Sequence, residues 1–205
     1  MPTNAVFWDR LARRYAAQPI KDATSYNHTL ERTQSYLGSE DRVLELGCGT
    51  GSTALALAPS VKEYTGSDIS SGMIEIANEK ASEAGQGNVR FRQATLEEHS
   101  GEPDRFDAIL AFNLFHLVDD PFAAFRSIHK LLPSGGHFIS KTACLKGQGI
   151  WLRPMIAAMR AVGKAPKVTF LSANDVEVMI ARAGFDILET GTFPARARFV
   201  VAKRR

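Results

Sequence analysis

The chain has 205 residues, 44% hydrophobic and 23% charged, which suits one globular domain with a continuous core. Its net charge of +3 is too mild by itself to predict a nucleic-acid partner, and no apolar run is long enough for stable membrane insertion. Two cysteines, Cys48 and Cys144, argue against a disulfide framework, no Cys/His pair has zinc-finger spacing, and a reducing, cytoplasmic setting is the expectation.

Residues 4–18 read as an amphipathic helix, because Phe7, Leu11 and Tyr15 recur at helical spacing. That accounts for Arg10, Arg13 and Arg14 better than an Arg-rich transit peptide does. Gln18-Pro19 separates it from a second helix over 22–37, which Gly38-Ser39-Glu40-Asp41 breaks. Strands are then predicted at 43–46, 64–67, 89–94, 106–112 and 136–143, with helices at 50–58, 72–84 and 121–132 between them. Helices at 150–162 and 172–183 follow, then strands at 185–189 and 198–202. Strands alternating with helices predict an α/β fold, a mostly parallel sheet with helices on both faces. The short loop between the last two strands permits antiparallel pairing only, so the last strand runs against the others.

Ligands of such sheets bind at the carboxyl ends of the strands, where strand order reverses. The first strand ends in Glu45-Leu46-Gly47-Cys48-Gly49-Thr50-Gly51. Three glycines let the backbone turn sharply and let a ligand lie against it. A dinucleotide would bring a negative pyrophosphate here, and Glu45 would repel it. A zwitterionic methionine suits the site better, its carboxylate on loop N–H groups and its ammonium on Glu45. Otherwise Glu45 is an exposed strand-end acid. Asp68 follows the second strand at the spacing of a ribose-binding acid, with a helix N-cap as the competing role. Ser70 can serve as that cap, leaving Asp68 to the ribose and Ile69 and Met73 to flank an adenine.

These segments resemble the class I S-adenosylmethionine-dependent methyltransferases of the small-molecule and quinone/lipid type. The resemblance rests on Val-Leu-Glu-Leu-Gly-Cys-Gly-Thr-Gly, Gly-Ser-Asp-Ile-Ser-Ser-Gly-Met, Phe-Asp-Ala-Ile-Leu-Ala-Phe-Asn-Leu-Phe-His-Leu-Val at 106–118 and Leu-Leu-Pro-Ser-Gly-Gly at 131–136. It runs from about residue 40 onward and is specific for cofactor and fold, not for acceptor. It implies a Rossmann-like, seven-stranded sheet with the last strand inserted antiparallel. It also implies one domain over 1–205, with lid helices in 1–38 and the Rossmann-like core in 39–205. The cofactor implied is S-adenosyl-L-methionine, leaving S-adenosyl-L-homocysteine as product. Gly47, Cys48, Gly49, Thr50 and the Asn113 backbone are expected beside it, with Tyr15 or Tyr26 of the N-terminal helices closing the methionine pocket, and core packing as the competing role of either ring. Where relatives carry Gly-Asp for the adenine amino group, this chain has Ala94-Thr95-Leu96, so the Thr95 hydroxyl and the Leu96 backbone are expected there.

Transfer from a sulfonium needs alignment and exclusion of water, and a base only if the acceptor loses a proton early. His116, after the fourth strand, is the candidate base or acceptor-orienting group, because an unperturbed histidine titrates near neutrality; a structural histidine in a buried turn is the other reading. The chain lacks the Asn/Asp-Pro-Pro-Tyr/Phe segment of nucleobase amino-methylating enzymes. Asp119-Asp120-Pro121 reads as a helix start, so no metal is predicted. Trp151, Leu152, Met155, Ile156 and Met159 form an apolar stripe, read mainly as packing on the sheet and partly as an acceptor cover. Lys203-Arg204-Arg205 reads as a solvated end, with attraction to a membrane surface as the lesser reading. The partner expected is a small organic acceptor. The alternatives are a lipid or quinone acceptor at the membrane surface, or a non-catalytic S-adenosylmethionine-binding protein. A nicotinamide-dependent dehydrogenase is disfavoured by Glu45.

Overall fold

The computed structural model describes residues 4–101, 105–149 and 151–205. Helices α1 (Asn4–Ala16) and α2 (Ala23–Gln34) precede the sheet. Strands β1 (Arg42–Leu46), β2 (Glu63–Asp68), β3 (Val89–Gln93), β4 (Ala108–Phe112) and β5 (His137–Ala143) alternate with α3 (Ser52–Leu57), α4 (Ser71–Ala84) and α5 (Pro121–Leu131). Helices α6 (Leu152–Ala161) and α7 (Ala173–Arg182) lead to β6 (Phe185–Thr192) and β7 (Ala197–Arg204). The sheet has the order β3-β2-β1-β4-β5-β7-β6. All neighbours are parallel except β7, which runs antiparallel to both β5 and β6. The predicted fold class, including the inserted last strand, is therefore observed.

Two packed layers cover the sheet. On one face Leu44, Ile109, Phe138 and Val200 meet Phe125 and Ile128 of α5 and Val176 and Ile180 of α7. On the other, Val43, Tyr64, Leu110, Ile139 and Phe199 meet Ala54 and Leu57 of α3. Alternation along each strand divides its side chains between these layers. Order reverses between β1 and β4, so a crevice opens there beyond the carboxyl ends of the strands.

Several predicted boundaries move, each for a local reason. The helix after the glycines begins at Ser52, not Thr50, because Gly51 is left-handed at φ 76° and caps it. The fourth strand begins at Ala108, not 106, because the Asp107 carboxylate accepts the Arg42 N–H at 2.9 Å and holds the chain in a bend. The last two strands are longer than predicted, pairing through a bulge at Ile187/Glu189. In the predicted helix 150–162, residue 150 lies outside the described residues. The apolar stripe read there as sheet packing is not packed: α6 has no buried residue, and Trp151 is 78% exposed. No helix of the described residues is long and apolar enough to cross a membrane.

Candidate functional site

One cavity of about 960 Å³ lies over the β1/β4 crevice. All fourteen sequence-predicted site residues line it: Tyr15, Tyr26, Glu45, Gly47, Cys48, Gly49, Thr50, Asp68, Ile69, Met73, Thr95, Leu96, Asn113 and His116. Its size is at the upper end of small-molecule sites, about 300–1,000 Å³.

The floor is the glycine loop. Gly47, Gly49 and Gly51 have φ values of 68°, 54° and 76°, a region L side chains rarely enter. At Gly49 a Cβ would meet nothing within 4 Å, so the backbone there faces open space. The Gly49 N–H donates to Asp68 Oδ2 at 3.0 Å, and the Ser70 N–H donates to Oδ1 at 2.9 Å. Ser70 caps α4 through the Met73 N–H, as predicted. Asp68 is thus oriented by backbone N–H groups of Gly49, Ile69 and Ser70. Burial raises its pKa against those three hydrogen bonds.

Glu45 is not the exposed strand-end acid that the alternative reading allowed; it is 2% exposed. Its Oε2 accepts the Tyr64 hydroxyl at 3.0 Å. No cation pairs with it among the described residues, and burial pushes its pKa up to about 7. A buried carboxyl with so perturbed a pKa in a cleft marks a candidate functional position.

Asn113 is the one non-glycine residue with positive φ, 56°, among the described residues. Its N–H donates to the Lys141 carbonyl at 2.7 Å, and the chain turns from there into the 3₁₀ turn Phe115–Leu117. Phe115 anchors that turn in the core, 4.4 Å from the Phe125 ring centroid. His116 beside it lines the cavity, with its Nδ1 shielded from water and without a hydrogen-bond partner. Burial lowers its pKa to about 4, which corrects the expectation of titration near neutrality.

Thr95 and Leu96 form the wall beyond β3. The Thr95 N–H donates to Glu98 Oε2 at 2.7 Å, and the Thr95 hydroxyl accepts the Glu98 N–H at 3.4 Å. The Thr95 hydroxyl also bonds the Glu98 carboxylate, and the N–H and hydroxyl together hold that acid below the usual carboxylate range. Leu96 is partly buried against the core. Cys48 is buried, and its thiol pKa is raised by desolvation, so it packs as an apolar group.

The N-terminal helices form the cover. Tyr26 Oη lies 3.5 Å from Thr53 Oγ1, and burial raises the phenol pKa. Tyr15 is half exposed and meets Trp8 edge-on. Sequence reasoning missed four residues here. Trp8 and Lys21 line the cavity without any motif to mark them. Asp9 ties α1 to the start of α4, its Oδ1 accepting from the Ser70 hydroxyl at 2.7 Å and the Gly72 N–H at 3.0 Å. Lys80 reaches from α4 to the Thr50 and Ser52 hydroxyls, each at 3.0 Å. Asp120 caps α5 as read, while Asp119 pairs with Lys167.

A profile described as a methyltransferase domain matches residues 10–190. The chain belongs to the methyltransferase-domain family. It is similar to an uncharacterized methyltransferase, YcgJ, of Bacillus subtilis strain 168, at 40% identity over 49% of this chain and 40% of that protein. It is 31% identical to a ubiquinone biosynthesis O-methyltransferase of Proteus mirabilis over 70% of this chain and 57% of that protein. The chain thus spans about half the length of the curated relatives it matches. The fold is shared with a magnesium protoporphyrin IX methyltransferase from Synechocystis with bound S-adenosylhomocysteine, at TM-score 0.71 and 20% identity over 98% of this chain and 96% of that one. That shared fold is one that holds S-adenosylhomocysteine in the Synechocystis protein. Three features of the cavity are compatible with such a ligand: open space over Gly49, the buried Glu45 carboxyl and the Asp68 carboxylate.

Proposed function

We propose that the chain transfers a methyl group from S-adenosyl-L-methionine to a small organic acceptor by in-line displacement. The observation that carries this reading is the single cavity joining Glu45, Gly49 and Asp68 to His116. The cofactor supplies a methyl group already activated by its sulfonium. Glu45 takes the methionine ammonium, together with the carbonyl end of Asn113. Gly47, Cys48, Gly49 and Thr50 form the backbone cradle, and Asp68 accepts from the ribose hydroxyls. Ile69 and Met73 flank the adenine, whose edge meets Thr95 and Leu96. Tyr15 and Tyr26, on the helices of residues 1–38, exclude water over the core of 39–205. His116, uncharged at neutral pH, presents a nitrogen to a hydroxyl or amine and so orients the acceptor.

Calorimetry tests the cofactor: S-adenosylhomocysteine binds and NAD does not. Preferential binding of NAD would overturn the reading. A second reading, a quinone- or lipid-class acceptor, is favoured by the relative named for ubiquinone biosynthesis. Turnover with a hydroxylated aromatic acceptor tests it. Cofactor binding without turnover on any acceptor class would favour a non-catalytic binding protein.

A further inference from the structure

Between Asp120 and Asp175 the chain holds no acidic residue at all, although it has 22 elsewhere, while eight of its 25 basic residues fall there. Helix α6 lies in the middle of this stretch. Of its ten residues only Leu152 and Ile156 are partly covered, and the rest are exposed. Trp151, Met155, Met159 and Val162, at helical spacing on one side, are exposed at 78%, 53%, 39% and 67%. Arg153, Arg160 and Lys164 stand on the same segment, and no acid pairs with any of them among the described residues. Arg153 stacks over the Phe170 ring at 4.7 Å.

We infer that α6 is a membrane-docking helix that lies in the headgroup plane of an anionic lipid surface. An exposed tryptophan and methionine stripe with a basic opposite face is the pattern of an interfacial helix. The charge decides between occupants. A second copy of the chain would bring the basic face of α6 against its own like charges, and an ordinary protein partner would have to supply a concentrated acidic patch. An anionic bilayer offers both negative charge and an apolar layer beneath it.

The location makes the docking useful. The segment after α6 is bound to the cavity rim: the Thr169 N–H donates to the His116 carbonyl at 2.7 Å and its hydroxyl to the Val118 carbonyl at 2.7 Å. Lys167 pairs with Asp119 at 2.7 Å, and its N–H donates to Asn4 Oδ1 at 3.4 Å. Asn4, His116, Val118 and Asp119 all line the cavity. A surface under α6 therefore lies next to the acceptor end of the site.

The test is co-sedimentation with phosphatidylcholine vesicles, with and without phosphatidylglycerol, at low and high salt. The protein is expected to bind only the anionic vesicles and less at high salt. Met155→Glu/Met159→Glu should abolish binding. Arg160→Gln/Lys164→Gln should weaken it by about fivefold per residue, the equivalent of ~1 kcal/mol for each basic group near the surface. Thermal melting and S-adenosylhomocysteine calorimetry should match the unsubstituted protein in both variants. Docking thus fails or holds independently of the methyltransferase reading. No binding to anionic vesicles, or equal binding by the glutamate variant, overturns the inference. So does a dimer in solution that the glutamate variant dissociates, which would make this face a subunit interface.

Discussion

Glu45 sits almost fully buried with a tyrosine hydroxyl as neighbour, and with a pKa of about 7 the proposed ammonium contact should make cofactor affinity pH-dependent. An incoming ammonium requires the ionised form. Below pH 7 the free protein must first lose a proton, so affinity for S-adenosylhomocysteine should fall by up to about tenfold per pH unit there. Calorimetry in buffers of different ionisation enthalpy should detect that proton leaving. Glu45→Gln should bind more weakly and lose the pH dependence; an unchanged profile would place the ammonium elsewhere. The sign for folding is the reverse of a paired carboxylate. Because the native pKa lies above the ordinary 4.5, this group's protonated form favours folding, and that contribution is lost as pH rises from 4.5 to 7. Asp68→Ala should cost about 1.5–3 kcal/mol of cofactor binding, the scale of hydrogen bonds to a charged group. The same substitution frees the Gly49 and Ser70 N–H groups, so the melting temperature is measured alongside. His116→Ala should lower turnover by roughly 10²–10⁴ if the imidazole handles an acceptor proton. With its pKa near 4, the wild-type rate should stay flat through neutrality and drop only on approach to pH 4. An inflection in the pH–rate profile near neutrality, absent in the alanine variant, would show an imidazole far less desolvated than this placement makes it.

At the scale of elements, α1 and α2 are fastened over the cavity by side chains. Asp9 bonds α1 to the first turn of α4, and Arg13 extends the contact to Glu79 at 2.7 Å. Arg32 of α2 forks onto Glu189 of β6, which also accepts the Tyr36 hydroxyl at 2.8 Å. Asp9→Ala removes the acid at an N-terminus and should cost about 0.5–2 kcal/mol of stability. Cofactor affinity should fall with it, because Trp8 and Tyr15 ride on the same helix; stopped-flow measurement should locate the loss in faster dissociation. An unchanged dissociation rate would show that α1 does not cover the ligand. These fastenings were not legible in the sequence, since Asp9 acts on Ser70 and Arg32 on Glu189 across long stretches of chain with no periodic signal. The glycine loop, Asp68 and the Ser70 cap were legible because their chemistry is local to a strand end and the next helix. The exposed stripe on α6 was misjudged because its spacing is that of any buried helix face. Periodicity gives a helix's apolar side and not what covers it.

Across the whole molecule, the core reaches the site through one cluster of rings. Phe138 of β5 touches Phe115, Phe125 and Phe185 with centroids at 5.9, 5.7 and 5.4 Å. Phe138→Ala should destabilise the fold by about 3–5 kcal/mol, read from denaturant unfolding. Because Phe115 anchors the turn that carries His116, turnover should fall more than the loss of folded protein explains. A loss of activity equal to the loss of folded protein would show that the turn holds its shape without the cluster.

The place of β7 between β5 and β6 bears on how the protein is made. Synthesis delivers β6 before β7, yet β6 has no neighbour in the sheet except β7. A ribosome-bound chain therefore carries β6 as an unpaired edge until residues 197–204 have left the exit tunnel. The parallel part, β3-β2-β1-β4-β5, can assemble earlier from segments close in sequence. Nascent chains stalled before residue 197 should protect β1 and β4 amides from hydrogen exchange while β6 amides exchange freely. Protection of β6 in such chains would mean that it first pairs elsewhere. The cavity, built at the β1/β4 crevice, belongs to the part that forms first, and the cofactor can bind while the far edge of the sheet is still open.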